Sequence, residues 1–260
     1  MFAKDFLFKK PVVLKNDPVA HVKRIMSKWK IFELPVLDGK NVFGTINAMD
    51  ILKAIRRKID VENLLTYHLA KKKIVKVDKD SSIEEVIRRF LSSKVNVIFV
   101  FDRDNFLGYI KRNEILKVLF KEKKSVKEFV STRFKIISYE DSPKKVIRLI
   151  EKFPLIVFKN KRPFIALSKE DGELINYLID FLLRERKVKL MRQEMKLIKE
   201  AGISTSPADT IGKILKKRIV LQREESIGKA AKLMYKNNKS VLPVESIGIV
   251  SDISLLRSIV

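Results

Sequence analysis

Apolar residues recur with helical spacing in four stretches of the chain. Residues 83–90 carry apolar side chains at the first, fourth, fifth and eighth positions, which places them on one face of a helix. The same spacing recurs at residues 143–150 and 227–234, and a fourth stretch deviates from it at Lys23. These patterns predict four amphipathic helices that each cover a sheet.

Short β-branched runs precede the four helices, and two further apolar runs follow each of them. The first strands are predicted at Val12–Leu14, Ile74–Val77, Lys135–Ile137 and Ile219–Leu221. A polar turn such as Asp38-Gly39 then separates two longer strands, which is typical of a hairpin. The sequence therefore predicts a β-α-β-β-α unit that occurs four times.

Each unit closes with a related segment in which an apolar strand runs into a second helix. These segments begin at Gly44, Gly108, Ile165 and Gly248, with spacings of 64, 57 and 83 residues. The longest spacing contains a charged, amphipathic stretch at residues 173–200, which we expect to be an extended helix, broken or bent near residues 186–189 and ended by Gly202.

The predicted fold class is α/β (α+β), with four βαββα repeats that pair one with two and three with four. The repeats are expected near residues 8–60, 69–122, 125–200 and 206–260. The first domain would span residues 1–122 and the second residues 125–260, with the inserted helix in the third repeat.

Composition excludes several classes of site. The chain has no cysteine and only two histidines in 260 residues, which argues against thiolate chemistry and a metalloenzyme. No apolar run is long enough to cross a bilayer and the N-terminus does not resemble a signal peptide, so we expect a cytoplasmic protein without a membrane partner. The net charge is +25, divided as about +13 and +12 between the two halves.

The pattern resembles the CBS domain, named for cystathionine β-synthase, in two tandem pairs called Bateman modules. The resemblance is carried by Leu34-Pro-Val-Leu-Asp-Gly through Gly44…Asp50-Ile-Leu and by Ser240-Val-Leu-Pro-Val…Gly248-Ile-Val-Ser, and the third repeat departs from it most. It implies clefts that often hold adenine nucleotides, without catalysis. AMP, ADP or ATP is therefore the expected ligand, and no cofactor is required.

In the CBS family the third strand ends in Gly-h-h-Thr/Ser-x-x-Asp, where h is apolar, the hydroxyl lies near phosphate and the aspartate binds the ribose. The resemblance assigns the aspartate position to Asp50 and Asp171, while Glu114 and Ser254 replace it elsewhere. The candidate nucleotide-binding residues are Asn47, Asp50, Lys111, Ser168 and Asp171. The alternative for Asp50 and Asp171 is the more frequent role of an aspartate at a helix start, which is to cap the helix.

For three residues near this motif, a role without a ligand is preferred. Lys111 and Arg112 are read as a solvated basic face, with phosphate binding as the alternative, and Asp252 is read as a helix cap.

Basic residues cluster in the linkers before several repeats and along the inserted helix. The candidate RNA contacts are Lys71, Lys72, Lys73, Lys123, Lys124, Arg184, Arg186, Lys187, Lys189, Lys216, Lys217 and Arg218. Positive charge on both halves favours a polyanionic partner, and no motif for reading bases is evident.

Three functions are compared. The first is a non-enzymatic protein that binds structured RNA, above all the ribosome or its subunits, since some archaeal multi-CBS proteins of similar layout act as ribosome hibernation factors; an adenine nucleotide would modulate it. The second is an AMP- or ATP-sensing module that controls an enzyme or transporter. The third, an enzyme, is rejected because the sequence has no nucleophile–base pair or phosphate loop. A monomer or homodimer is expected.

Overall fold

A computed structural model describes residues 1–197, 210–215, 217–245 and 248–260, with only the backbone of residues 187–197 and Lys213. These residues form four units, each a small sheet with helices. The mixed α/β fold of small sheets and helices confirms the predicted fold class.

Units 1 and 2 have the predicted order of elements. Unit 1 contains β1 (Val13–Leu14), α1 (Val19–Trp29), β2 (Glu33–Asp38), β3 (Asn41–Asn47) and α2 (Ala48–Arg56). Unit 2 contains β4 (Lys76–Asp78), α3 (Ile83–Ser93), β5 (Val97–Asp102), β6 (Asn105–Lys111) and α4 (Arg112–Ile115), followed by a 3₁₀ helix at Leu116–Leu119. In both sheets the first strand runs parallel to the second, and the second pairs antiparallel with the third.

Units 3 and 4 repeat this order, except that unit 3 closes with a much longer helix and the first strand of unit 4 is reduced. Unit 3 contains β7 (Lys135–Ser138), α5 (Pro143–Leu149), β8 (Leu155–Lys159), β9 (Arg162–Leu167) and α6 (Gly172–Leu197). Unit 4 contains α7 (Ile227–Asn237), β10 (Val241–Val244), β11 (Gly248–Ser251) and α8 (Asp252–Leu256). The expected first strand of unit 4 is reduced to one parallel bridge between Leu221 and Val244.

Two helices begin at serines that the sequence predicts as N-caps. The hydroxyl of Ser82 accepts a hydrogen bond from the backbone N–H of Glu85, and that of Ser226 accepts one from Lys229. Such caps satisfy amide groups that have no partner inside the helix. The two serines therefore fix where α3 and α7 begin.

The predicted break in the inserted helix is wrong, because α6 is one continuous helix from Gly172 to Leu197. Arginine, lysine and glutamate are good helix formers, and no glycine or proline interrupts this stretch, so a dense run of charge does not end it. The expected end at Gly202 lies outside the described residues.

Each sheet is extended by the linker that precedes the neighbouring unit. The segment before unit 1 pairs with unit 2 through Phe8 and Tyr109, while the segment before unit 2 pairs with unit 1 through Lys71 and Thr45. The same exchange links Ser131 to Ile249 in unit 4. It also links the N–H of Ile219 to the carbonyl of Phe164 in unit 3, so the linkers tie unit 1 to unit 2 and unit 3 to unit 4.

Glycine lets the backbones approach closely at the crossings in units 1 and 4. A Cβ atom on Gly44 would lie 2.0 Å from the carbonyl oxygen of Lys71, and one on Gly248 would lie 2.4 Å from that of Ser131. No side chain fits at such distances, so the two glycines let the backbones meet.

Helices join the two halves. α6 packs against α1 and α2, which joins unit 3 to unit 1, and α7 packs against α4 and the following 3₁₀ helix, which joins unit 4 to unit 2. One hydrophobic cluster of buried residues extends through all four units. The four units therefore share one hydrophobic core.

Candidate functional site

A central cavity of about 430 Å³ lies where turns of the four units converge. Trp29 and Lys30 come from the end of α1, Asn113 from α4, Glu170 from the turn after β9, and a fourth segment, within residues 235–240, from the end of α7. The indole of Trp29 is half exposed, as is unusual for so large an apolar ring. The cavity thus offers an aromatic surface as well as polar groups.

Charged side chains of both signs line the central cavity. The cationic residues in its wall are Lys30, Lys111, Arg112, Lys236 and Lys239, and the acidic ones are Glu33, Glu114, Glu170 and Asp252. The carboxylates of the wall pair with some of these cations, and the remaining cations can bind an anion.

Arg112 is buried in an ionic cluster with two carboxylates from the second half of the chain. Its Nε donates to Asp252 Oδ2 at 2.9 Å, a second guanidinium nitrogen pairs with Glu170, and Nη1 donates to the carbonyl of Val95 at 3.2 Å. Burial lowers the pKa of Arg112, but the two carboxylates outweigh it and raise the pKa overall. The guanidinium is therefore charged at all pH values of interest.

The interpretation of Arg112 as a solvated basic residue is wrong, because only 3% of its side chain is exposed. Ser251 and not Asp252 is the N-cap of α8, although Asp252 Oδ1 accepts a hydrogen bond from the N–H of Ile253 in the first turn, and Asp252 is buried against Arg112. Burial raises the pKa of the Asp252 carboxyl, while Arg112 opposes that shift. The sequence gives no sign that these residues meet, because Asp252 and Arg112 lie 140 positions apart.

Lys111 lies in the wall of the central cavity. Its Nζ is 4.0 Å from the centre of the Phe8 ring and 3.7 Å from Glu114 Oε1. Burial lowers the pKa of the Lys111 ammonium, and Glu114 opposes that effect. Glu114 itself pairs with Lys117 at 2.6 Å. The ammonium of Lys111 is thus held beside the cavity by an aromatic ring and a shared carboxylate.

Glu33 is a buried carboxyl that sequence reasoning missed. Asn96 Nδ2 donates to Glu33 Oε2 at 3.0 Å, and both residues line the central cavity. Burial raises the pKa of the Glu33 carboxyl, against the lowering effect of hydrogen bonds from Thr45 and Asn96. Its position directly before the Leu34-Pro-Val strand is the only signal that sequence offers.

The two candidate residues of unit 1, Asn47 and Asp50, lie together but not in the cavity wall. The side-chain oxygen of Asn47 accepts a hydrogen bond from the N–H of Asp50 and so caps α2. Asp50 Oδ2 lies 2.9 Å from Lys71 Nζ, as an ion pair without hydrogen-bond geometry. Asn47 and Asp50 line neither the central cavity nor the smaller cavity between units 3 and 4.

The candidate residues of unit 3 are occupied by protein groups. Asp171 accepts a hydrogen bond from the N–H of Leu174, pairs with Lys239, and exposes only 3% of its side chain. Ser168 Oγ is 2.7 Å from Ser240 Oγ. Ser168 lines a second, smaller cavity of about 230 Å³ between units 3 and 4, whereas Asp171 does not.

The described RNA-contact candidates lie on the surface. Nine of them are exposed, namely Lys71, Lys72, Lys73, Lys123, Lys124, Arg184, Arg186, Lys217 and Arg218. Several have protein partners, for example Lys73, which donates to the carbonyl of Ser93, and Arg218, which donates to that of Pro163. Lys216 and the side chains of Lys187 and Lys189 lie outside the described part of the structure.

Comparison with known proteins identifies the first half. Residues 3–57 and 66–121 match the family model of the CBS domain, so this half contains a pair of CBS domains. No curated protein matches the chain. Among the described residues, no helix is long and apolar enough to span a membrane.

Two solved structures share the fold over the whole chain. A protein from Methanocaldococcus jannaschii, described as a proposed archaeal homologue of γ-AMPK, is 16% identical, with a TM-score of 0.75 and 100% of both chains covered. A conserved protein from Pyrococcus horikoshii is 15% identical, with a TM-score of 0.61 and 100% of both chains covered. At this level of sequence identity, the similarity shows that the fold is shared and nothing further.

Proposed function

Because its first half is a pair of CBS domains, we propose that the protein is a non-catalytic regulator that binds an adenine nucleotide and controls a partner enzyme or transporter. In this proposal residues 125–260 form a second CBS pair beside the first at residues 1–122. The exchange of linkers between units 3 and 4 supports the second pair, because it matches the exchange between units 1 and 2.

The central cavity is the observation that carries the proposal. Its volume of about 430 Å³ lies within the range of pockets that hold small ligands. The cavity joins an aromatic ring to several ammonium groups, and a nucleotide needs both a stacking surface and counter-charges. The fold that this chain shares with the proposed γ-AMPK homologue is consistent with such a role.

In the proposed complex the adenine ring stacks on Trp29 and the phosphates face the lysines of the wall. Lys236 is exposed and makes no ion pair with any described residue, so it binds a phosphate without losing another contact. Asp50 and Asp171 stay candidates for the ribose, but a ribose there must displace Lys71 or Lys239.

The single tryptophan makes the proposal directly testable. Trp29 is the only indole in the chain, so its fluorescence reports on the mouth of the cavity alone. Titration with AMP, ADP and ATP should change this fluorescence, and calorimetry should give the affinity. Trp29→Ala should weaken binding by about 1 kcal/mol or more, since a stacked aromatic pair contributes about that much.

Tyr67→Ala is the matched control, because Tyr67 is exposed, stacks on His68 and lies outside the cavity wall. Its nucleotide affinity should equal that of the wild type. Absence of calorimetric binding at millimolar AMP, ADP and ATP would refute the sensing role.

Binding of structured RNA, with ribosomal subunits as the first candidate, is the second proposed function. The observation that favours it is the net charge of +25, shared by both halves, together with the exposure of the described candidate lysines and arginines. A broad positive surface suits a phosphate backbone.

Co-sedimentation with ribosomes tests the second proposal. If six to ten phosphates are bound, affinity should fall by about 10³–10⁵ between about 50 and 200 mM salt. Replacing Arg184, Arg186, Lys187 and Lys189 by glutamine should flatten that slope. The control carries four glutamines at cations already paired with carboxylates, Lys4, Lys15, Lys79 and Lys229. Equal slopes in both variants would exclude α6 as a contact.

A further inference from the structure

The wall between the two cavities is ionic. Glu170, Ser240 and Asp252 line both the central cavity and the smaller cavity between units 3 and 4. Arg112 lines the central cavity and pairs with both of these carboxylates. The Arg112–Glu170–Asp252 cluster is therefore a partition with one cavity on each side.

The two carboxylates of the partition are not equivalent. The side chain of Asp252 is 6% exposed, whereas that of Glu170 is 21% exposed. Asp252 is thus the fixed partner of Arg112, and Glu170 is the one that can exchange with another anion. A guanidinium edge that has lost a carboxylate presents paired N–H groups that match a phosphate.

Glu170 is also tied to the smaller cavity. Its backbone N–H donates to Ser168 Oγ at 3.2 Å, and Ser168 Oγ in turn lies 2.7 Å from Ser240 Oγ. Both hydroxyls line the smaller cavity. A ligand that hydrogen-bonds to Ser168 therefore competes for the contact that holds the turn of Glu170 in place.

We propose that Arg112 couples the two cavities. A ligand that binds Ser168 in the smaller cavity releases the turn that carries Glu170, so that Glu170 separates from Arg112 and the freed guanidinium edge binds a phosphate group in the central cavity. The coupling rests on the proposed nucleotide-binding function. By linkage, a phosphate on Arg112 equally raises the affinity of the smaller cavity for its ligand.

The test measures binding of inorganic tripolyphosphate and of ATP by calorimetry on the full chain. Glu170→Gln removes the competing charge, so it should tighten tripolyphosphate binding about fivefold or more. Glu245→Gln is the matched control, because it removes the same charge beside Arg218, outside both cavities. The control should change the affinity by less than about twofold, since that charge is screened by solvent.

A second variant covers the case in which Glu170→Gln does not fold. Ser168→Ala keeps every charge and removes the acceptor for the N–H of Glu170, so it should also tighten tripolyphosphate binding, and it should abolish any cooperativity of ATP binding.

The outcomes separate the two proposals. If Glu170→Gln and Glu245→Gln bind tripolyphosphate equally, the coupling is wrong, even where the wild type binds ATP. If Glu170→Gln tightens tripolyphosphate binding but no variant binds AMP or ATP, the role of Arg112 is supported and the nucleotide-sensing function is refuted.

Discussion

The two halves of the molecule share an order of elements but differ where linkers cross their sheets. In units 1, 2 and 4 the linker pairs with the residue that follows a glycine: Thr45, Tyr109 and Ile249. In unit 3 the glycine is replaced by Ile165, and Ile219 of the linker bonds to Phe164, the residue before it. The glycine is thus needed for the register of the crossing, but not for the crossing itself.

The second half also depends on the first for a buried cation. Asp252 and Glu170 belong to units 4 and 3, but their shared partner, Arg112, begins the closing helix of unit 2. Without a cation, the buried carboxylate of Asp252 and the half-buried one of Glu170 would be costly. The less regular half is therefore stabilised from across the centre of the molecule.

The largest effect is expected from Arg112→Met. It should lower the free energy of unfolding by about 3–5 kcal/mol, because it leaves buried carboxylates unpaired. Chemical denaturation measures the loss. The triple variant Arg112→Met, Glu170→Gln, Asp252→Asn should recover part of it, and a triple variant less stable than Arg112→Met would argue that charge is not the cause.

The glycine comparison predicts an intermediate effect. Gly44→Ala and Gly248→Ala should each cost about 3 kcal/mol, since a Cβ atom would overlap a carbonyl oxygen of the linker. The control is Gly39→Ala, where φ is +61° and no atom lies within 4 Å, with an expected cost of about 1 kcal/mol. Equal losses at Gly39 and Gly44 in thermal denaturation would contradict the register argument.

The smallest effect is expected at Glu33, a carboxyl of the first half whose pKa is raised in part by Glu170 of the second half. Since burial raises its pKa, its contribution to stability is fully present below its ordinary pKa of 4.5 and is lost as pH rises through the folded value. Lys71 opposes the shift and Glu170 adds to it. The Glu33→Gln variant should therefore have a higher melting temperature than the wild type at pH 7 and the same melting temperature near pH 4.

The exposed Glu128→Gln serves as the control for this titration, and it should follow the wild type at both pH values. A Glu33→Gln variant that is no more stable at neutral pH would show that hydrogen bonds from Asn96 and Thr45 outweigh the burial of the charge.

Local spacing in the sequence carries most of the fold. The apolar register of residues 83–90 and the caps at Ser82 and Ser226 depend on neighbours in sequence, and α3 and α7 begin where these serines indicate. The predicted break near residues 186–189 is wrong, because all residues of α6 permit a helix and no glycine or proline lies after Gly172 in its range.

The site could be predicted only in part. The resemblance to a motif draws attention to Lys111 and Ser168, which do line cavities. It cannot show that Asp171 is paired with Lys239. Nor can it show that Arg112 is neutralised by Glu170 and Asp252, which lie 58 and 140 positions away in the sequence. Such meetings depend on how four units pack, and no local pattern encodes them.

The exchanged linkers also determine the order in which the sheets can be completed during synthesis on the ribosome, where the chain emerges from its N-terminus. The sheet of unit 1 cannot be completed until Lys71 has been synthesised, and the sheet of unit 3 must wait for Ile219. Unit 2 meets the opposite situation, since Phe8 is made long before its partner Tyr109. Folding should therefore advance in two steps, one pair of units at a time, with the third sheet open for the longest interval.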